Sequence, residues 1–159
     1  MYFEYAGEDT STLSNLRLGN TSLSAGIDFP SLTQNLSLTL EMSEWQNGWY
    51  VHGIYQDGLR NDGRVIGHWG GDWRSPGDGV GAHSWMARVG WRPKFGGTLE
   101  GTFRALDNEA YSGVPYERAT DVDVRYSWPW QQFLVGGEVT LGRDVFGESF
   151  SRLTAFVRF

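Results

Sequence analysis

Glu148-Ser149-Phe150-Ser151-Arg152-Leu153-Thr154-Ala155-Phe156-Val157-Arg158-Phe159, the last twelve residues, read as one β-strand with two unlike faces. Successive strand side chains point to opposite sides, so Ser151, Leu153, Ala155, Val157 and Phe159 share one face, and Arg152, Thr154, Phe156 and Arg158 share the other. A soluble β-sandwich would bury the apolar face against a second sheet. A strand that ends on an aromatic residue and is polar on its inner side also fits an outer-membrane barrel. The rest of the chain has to decide between these two architectures.

The same period of two recurs upstream. Leu23, Ala25, Ile27 and Phe29 alternate with Ser22, Ser24, Gly26 and Asp28, and Pro30-Ser31 predicts a turn. Leu36, Leu38, Leu40 and Met42 then oppose Ser37, Thr39, Glu41 and Ser43. Trp85, Ala87, Val89 and Trp91 oppose Met86, Arg88, Gly90 and Arg92, and a turn at Pro93-Lys94-Phe95-Gly96 leads to Leu99, Gly101, Phe103 and Ala105. Val122, Val124, Tyr126 and Trp128 oppose Asp121, Asp123, Arg125 and Ser127; a tight turn is expected at Pro129, before Phe133, Val135, Gly137, Val139 and Leu141. With a short aromatic strand from Met1 to Ala6, the count is about eight.

The connections favour the barrel. Those near Pro30, Pro93 and Pro129 are short, whereas Gly7 to Thr21, Gln46 to His83 and Asp107 to Arg118 are long. Short turns at one end and long loops at the other are the transmembrane barrel pattern. Trp91, Phe95, Trp128 and Trp130 gather near the short turns, and Trp45, Trp49, Trp85 and Tyr116 near the long loops, as two interfacial girdles would require. The expected fold is therefore all-β: one antiparallel transmembrane β-barrel domain over residues 1–159, with short periplasmic turns, long extracellular loops and both termini on the short-turn side. Its lumen would collect Arg88, Arg92, Glu100, Arg104, Asp123, Arg125, Glu138, Arg152 and Arg158, with Asp121 and Asp123 in ion pairs with Arg104 and Arg125.

Composition is compatible with this and excludes other classes. The 159 residues include 8 Trp, 7 Tyr, 9 Phe and 22 Gly, no Cys, and a net charge of -6. No run approaches the roughly 18 apolar residues of a transmembrane helix, and a mean hydropathy of -0.41 says little here, because barrel strands bury only alternate residues in lipid. Absent cysteine rules out disulfides and thiolate metal sites. The acidic balance argues against nucleic acid as a partner. Met1-Tyr2-Phe3-Glu4 lacks the charged start and apolar core of a signal peptide, the expectation for a mature form, an expressed fragment or a chain that is not exported.

In residues 46–83 the alternation fails and the chain turns rich in Gly, Trp and Asp; connections of this length are commonly functional. Phe3-Glu4-Tyr5-Ala6 with Asp9-Thr10, then His52-Gly53-Ile54-Tyr55-Gln56-Asp57-Gly58, Gly63-Arg64-Val65-Ile66-Gly67-His68 and Gly71-Asp72 resemble the C-terminal part of the capsule assembly proteins of the Wzi family. That resemblance covers mainly residues 2–72. It implies an outer-membrane β-barrel that helps hold capsular polysaccharide at the bacterial surface. Family members are far longer, so it further implies either a segment matching about their last third or a compact relative; Gly7-Glu8 before Asp9 interrupts a tighter family pattern.

The residues themselves can support glycan binding. Sugars offer apolar C–H faces rimmed by hydroxyls, which suit flat Trp and Tyr rings beside planar Arg forks and carboxylates. Trp49, Tyr55, Arg60, Arg64, His68, Trp69, Asp72, Trp73, Arg74, Tyr111 and Tyr116 are the candidates, against the alternative that these rings are interface anchors and strand-end packing. No catalytic set is expected: no nucleophile elbow is present, and His52, His68 and His83, all placed in the loop region, lack metal-ligand spacing. No cofactor or metal is expected. The expected partners are the outer-membrane lipid bilayer, surface polysaccharide, and the barrel-assembly machinery through the strand ending at Phe159. A channel or structural scaffold is the alternative function.

Overall fold

The structure, a computed structural model, describes residues 1–7, 10–11, 14–18, 21–47, 60–61, 64–65, 80–110 and 115–159. Its elements are all strands: β1 (Tyr2–Ala6), β2 (Thr10–Ser11), β3 (Ser14–Leu18), β4 (Ser22–Thr33), β5 (Leu36–Asn47), β6 (Arg60–Asn61), β7 (Arg64–Val65), β8 (Val80–Trp91), β9 (Thr98–Asn108), β10 (Ala119–Trp130), β11 (Phe133–Arg143) and β12 (Ser149–Arg158). Eight of them form one antiparallel sheet in the order β1-β4-β5-β8-β9-β10-β11-β12, a meander in which each strand pairs with the next long strand in the chain. β2 with β3 and β6 with β7 are two-stranded hairpins inside the long connections. Among the described residues no ladder joins β1 to β12, so both remain sheet edges.

Registers put the alternation to work. Val122 pairs with Phe103 and Leu141, while Asp123 pairs with Thr102 and Thr140, so apolar and polar rows alternate across the middle of neighbouring strands. Across β9, β10 and β11 the covered side is the polar one. Asp121 and Asp123 are only 3% and 8% exposed, whereas Val122 and Val124 beside them are 47% and 44% exposed. Leu153 on the edge strand reaches 81%. A soluble domain does the reverse, because burying apolar area is its main driving force and burying charge is costly. Among the described residues the large apolar side chains of this face stay exposed and are not packed against a second sheet, as a sandwich would require.

Two turns lie further along than the prolines suggest. The first is at Gln34–Asn35 and not at Pro30, which sits inside β4 beyond the last β1 pair, Tyr2–Gly26, at a register shift between Phe29 and Thr33. The second is at Gln131–Gln132, with Pro129 inside β10 beyond the last β9 pair, Ser127–Thr98. Proline is tolerated where one flank carries no ladder bond to lose. At the β8–β9 turn Gly96 and Gly97 have φ of 101° and 76°, a left-handed conformation that suits glycine.

The outward aromatics form one belt near the short turns, in ring-to-ring contact from Trp91 to Phe95, Tyr126 and Trp128, with Trp130 against Phe133 beside it. The second girdle is thinner than expected. Trp45 and Tyr116 pack against a small buried cluster of Ala82, Leu106, Ala119 and Val145, which leaves Trp85 outward; Trp49 lies outside the described residues. His83, expected in a loop, is a strand residue of β8, because that strand starts at Val80.

Tyr2 lies across Gly26 and donates a hydrogen bond to Glu41 on the next strand. A Cβ at Gly26 would stand 2.2 Å from the Tyr2 ring. Gly26→Leu is expected to expel that ring, break the bond to Glu41 and lower stability by about 1–3 kcal/mol, measured as the shift of the urea midpoint.

Candidate functional site

The polar face is the first place where side chains converge. Arg104 on β9 donates from Nε to both carboxylate oxygens of Asp121 on β10, at 2.9 and 3.2 Å, and Thr140 on β11 donates to Asp123 at 2.9 Å. Arg125 stands directly between Glu100 and Glu138 in the ladders and lies 4.6 Å over the Phe156 ring, which Arg158 approaches at 5.1 Å. Arg88 and Arg152 occupy the same face, and Arg92 follows the end of β8. Asp121 pairs with Arg104 as expected, whereas Asp123 takes its hydrogen bond from Thr140 and not from Arg125, which the ladder places beside Glu100 and Glu138. Rings fill the gaps: a Cβ at Gly136 would meet Phe156 at 2.5 Å, and one at Gly142 would meet Phe150 at 2.6 Å. The Arg104–Asp121 pair and the Thr140–Asp123 bond satisfy the two covered carboxylates, which is a structural use of charge.

The second place is the outer face where β5, β8 and β9 reach the long connections. Glu44, His83 and Asp107 lie side by side in the ladders, one row beyond Met42, Trp85 and Ala105. His83 Nε2 is 2.7 Å from Glu109 Oε1, and its Nδ1 is 3.8 Å from Glu44. Arg118 donates to Asp107 through Nε and Nη2 at 2.8 and 2.7 Å, and its guanidinium sits 5.9 Å over the Trp85 ring, against which His83 also stacks. The carboxylate raises the Arg118 pKa above its ordinary value, chiefly by accepting those hydrogen bonds, so this cation stays charged at any physiological pH. An aromatic ring, a guanidinium, an imidazole and three carboxylates are therefore held together at one rim.

This cluster escaped the sequence-based choice, although its signal is present. Along the apolar parity Leu36, Leu38, Leu40 and Met42 give way to Glu44, and Leu99, Gly101, Phe103 and Ala105 to Asp107. A charge on the apolar parity marks where the apolar band ends. Of the glycan candidates, Trp49, Tyr55, His68, Trp69, Asp72, Trp73, Arg74 and Tyr111 lie outside the described residues, and Arg60 and Arg64 pair β6 with β7 through their backbones. Tyr116 is half-buried, tilted against Phe146 at 5.8 Å. Among the described residues no group of three or more His, Asp or Glu side chains forms a metal site.

No curated protein and no solved structure matches this chain. A family model does, and residues 1–75, from β1 through the β6–β7 hairpin, are similar to the family described as capsule assembly protein Wzi.

Proposed function

We propose that this chain is an outer-membrane β-barrel whose long extracellular connections bind, or help anchor, capsular or other surface polysaccharide. The observation that carries the reading is the reversed polarity in the middle of the sheet, where Val122, Val124 and Val139 are exposed on one face while Thr102, Asp121, Asp123 and Thr140 are covered on the other. Lipid is the solvent that makes this arrangement favourable. The long strands support it, since β4, β5, β8, β9, β10, β11 and β12 have 10 to 12 residues each, and a tilted strand needs about 9–11 to cross. Eight strands is an even count, so β1 and β12 run antiparallel and can close on each other; an open edge in lipid would cost several kcal/mol per unpaired backbone group. The similarity to a capsule assembly family supplies the surface context.

Eight strands leave an interior that side chains fill, and here the Arg104–Asp121 pair and the Phe150 and Phe156 rings stand on the polar face, so binding at the loops has more support than conduction. Two measurements test the reading. Refolded chain should migrate faster in a gel before boiling than after, and a single unchanged band would overturn the barrel. Trp69→Ala with Trp73→Ala should lower retention of surface glycan about tenfold, by loss of stacking platforms, while keeping the fast band.

A further inference from the structure

On the outer face an apolar groove of about 620 Å³ runs across β1, β4, β5, β8 and β9, lined by Phe3, Ala25, Met42, Trp85, Ala87 and Phe103. It exists because small residues alternate with large ones along the rows. Ala25 lies between Phe3 and Met42, and Ala87 between Leu40 and Phe103. Its volume is within the roughly 300–1,000 Å³ of ordinary ligand sites. At one end stands Trp85, and Trp85 also floors the rim cluster, with Arg118 above its ring and His83 stacked beside it.

An almost wholly apolar groove and a polar rim meeting at one residue ask for a ligand with two such halves. We infer that this wall binds a glycolipid with an uncharged sugar head, its acyl chain in the groove and its sugar on the Trp85 rim. The charge of the rim selects the head. Glu44, Asp107 and Glu109 face one guanidinium and one imidazole, leaving at least one negative charge even with His83 protonated. Such a surface accepts hydrogen bonds from hydroxyls and repels a phosphate. An indole face suits the C–H side of a pyranose and also borders the groove, so one ring orders both halves of the ligand. The inference rests on the outward apolar face lying in lipid, as proposed above.

The test uses the full chain refolded in an amine-oxide detergent, with equal amounts of galactosyl-diacylglycerol and phosphatidylglycerol of matched acyl chains, read by native mass spectrometry. The galactolipid adduct should prevail. Trp85→Ala, and Ala87→Trp filling the groove, should each reduce that adduct about tenfold. Glu44→Lys with Glu109→Lys should turn the preference toward phosphatidylglycerol. Equal adducts of the two lipids, an unaltered adduct in Ala87→Trp, or equal binding of methyl galactoside without a chain would each overturn it. If the fast-migrating band is present and the preference absent, this inference alone fails; if the band is absent, the barrel reading fails with it.

Discussion

Val124→Arg should destabilise the chain by about 2–4 kcal/mol when it is unfolded from lipid vesicles, seen as a lower urea midpoint at unchanged slope. Val124 is 44% exposed in the middle of β10, with Gly101 and Val139 opposite, where nothing in the protein would resist a longer side chain. In water this substitution should be worth no more than about 0.5 kcal/mol, because an exposed valine gains nothing from staying apolar. The two environments therefore predict results that differ by at least a factor of four. Leu153→Arg, on the most exposed apolar side chain of β12, should behave alike, and harmless results at both positions would rule out a lipid-facing surface.

Arg104→Met is the second large effect, expected at about 3–5 kcal/mol in the same unfolding measurement. The Asp121 carboxylate is almost fully covered, and Arg104 faces it with its Nε–H shared between both oxygens at 2.9 and 3.2 Å. Removing the guanidinium strands a buried charge, the expensive half of a broken pair. Adding Asp121→Leu should recover most of the loss, since replacing both partners of a buried pair with apolar groups is often near neutral. A double variant as unstable as Arg104→Met alone would show that Arg104 matters for its packing and not for that carboxylate. The pair joins adjacent strands β9 and β10, so its loss should raise hydrogen exchange first in their ladder.

Much of this protein was legible in its residue order, because a strand's period of two needs no tertiary information. Leu153, Ala155 and Val157 against Arg152, Thr154 and Arg158 already separate an apolar face from a charged one, and the same parity in six upstream stretches specifies a meander of about eight strands. The family resemblance was carried by residues 2–72 and is matched over residues 1–75. Pro30 and Pro129 signal turns by residue type, yet each lies inside a strand, where one neighbouring strand has already ended.

Which face is covered could not be read from parity, because an amphipathic strand has the same pattern whether its apolar side meets a second sheet or lipid. Only the assembled sheet decided it, by leaving Val122 and Val124 open while enclosing Asp121 and Asp123. The rim is likewise tertiary. Glu44, His83, Asp107, Glu109 and Arg118 span 75 positions of the chain and become one cluster only because the β5–β8 and β8–β9 registers align them above Trp85. Parity along one strand determines which residues share a side; register between strands determines which of them meet.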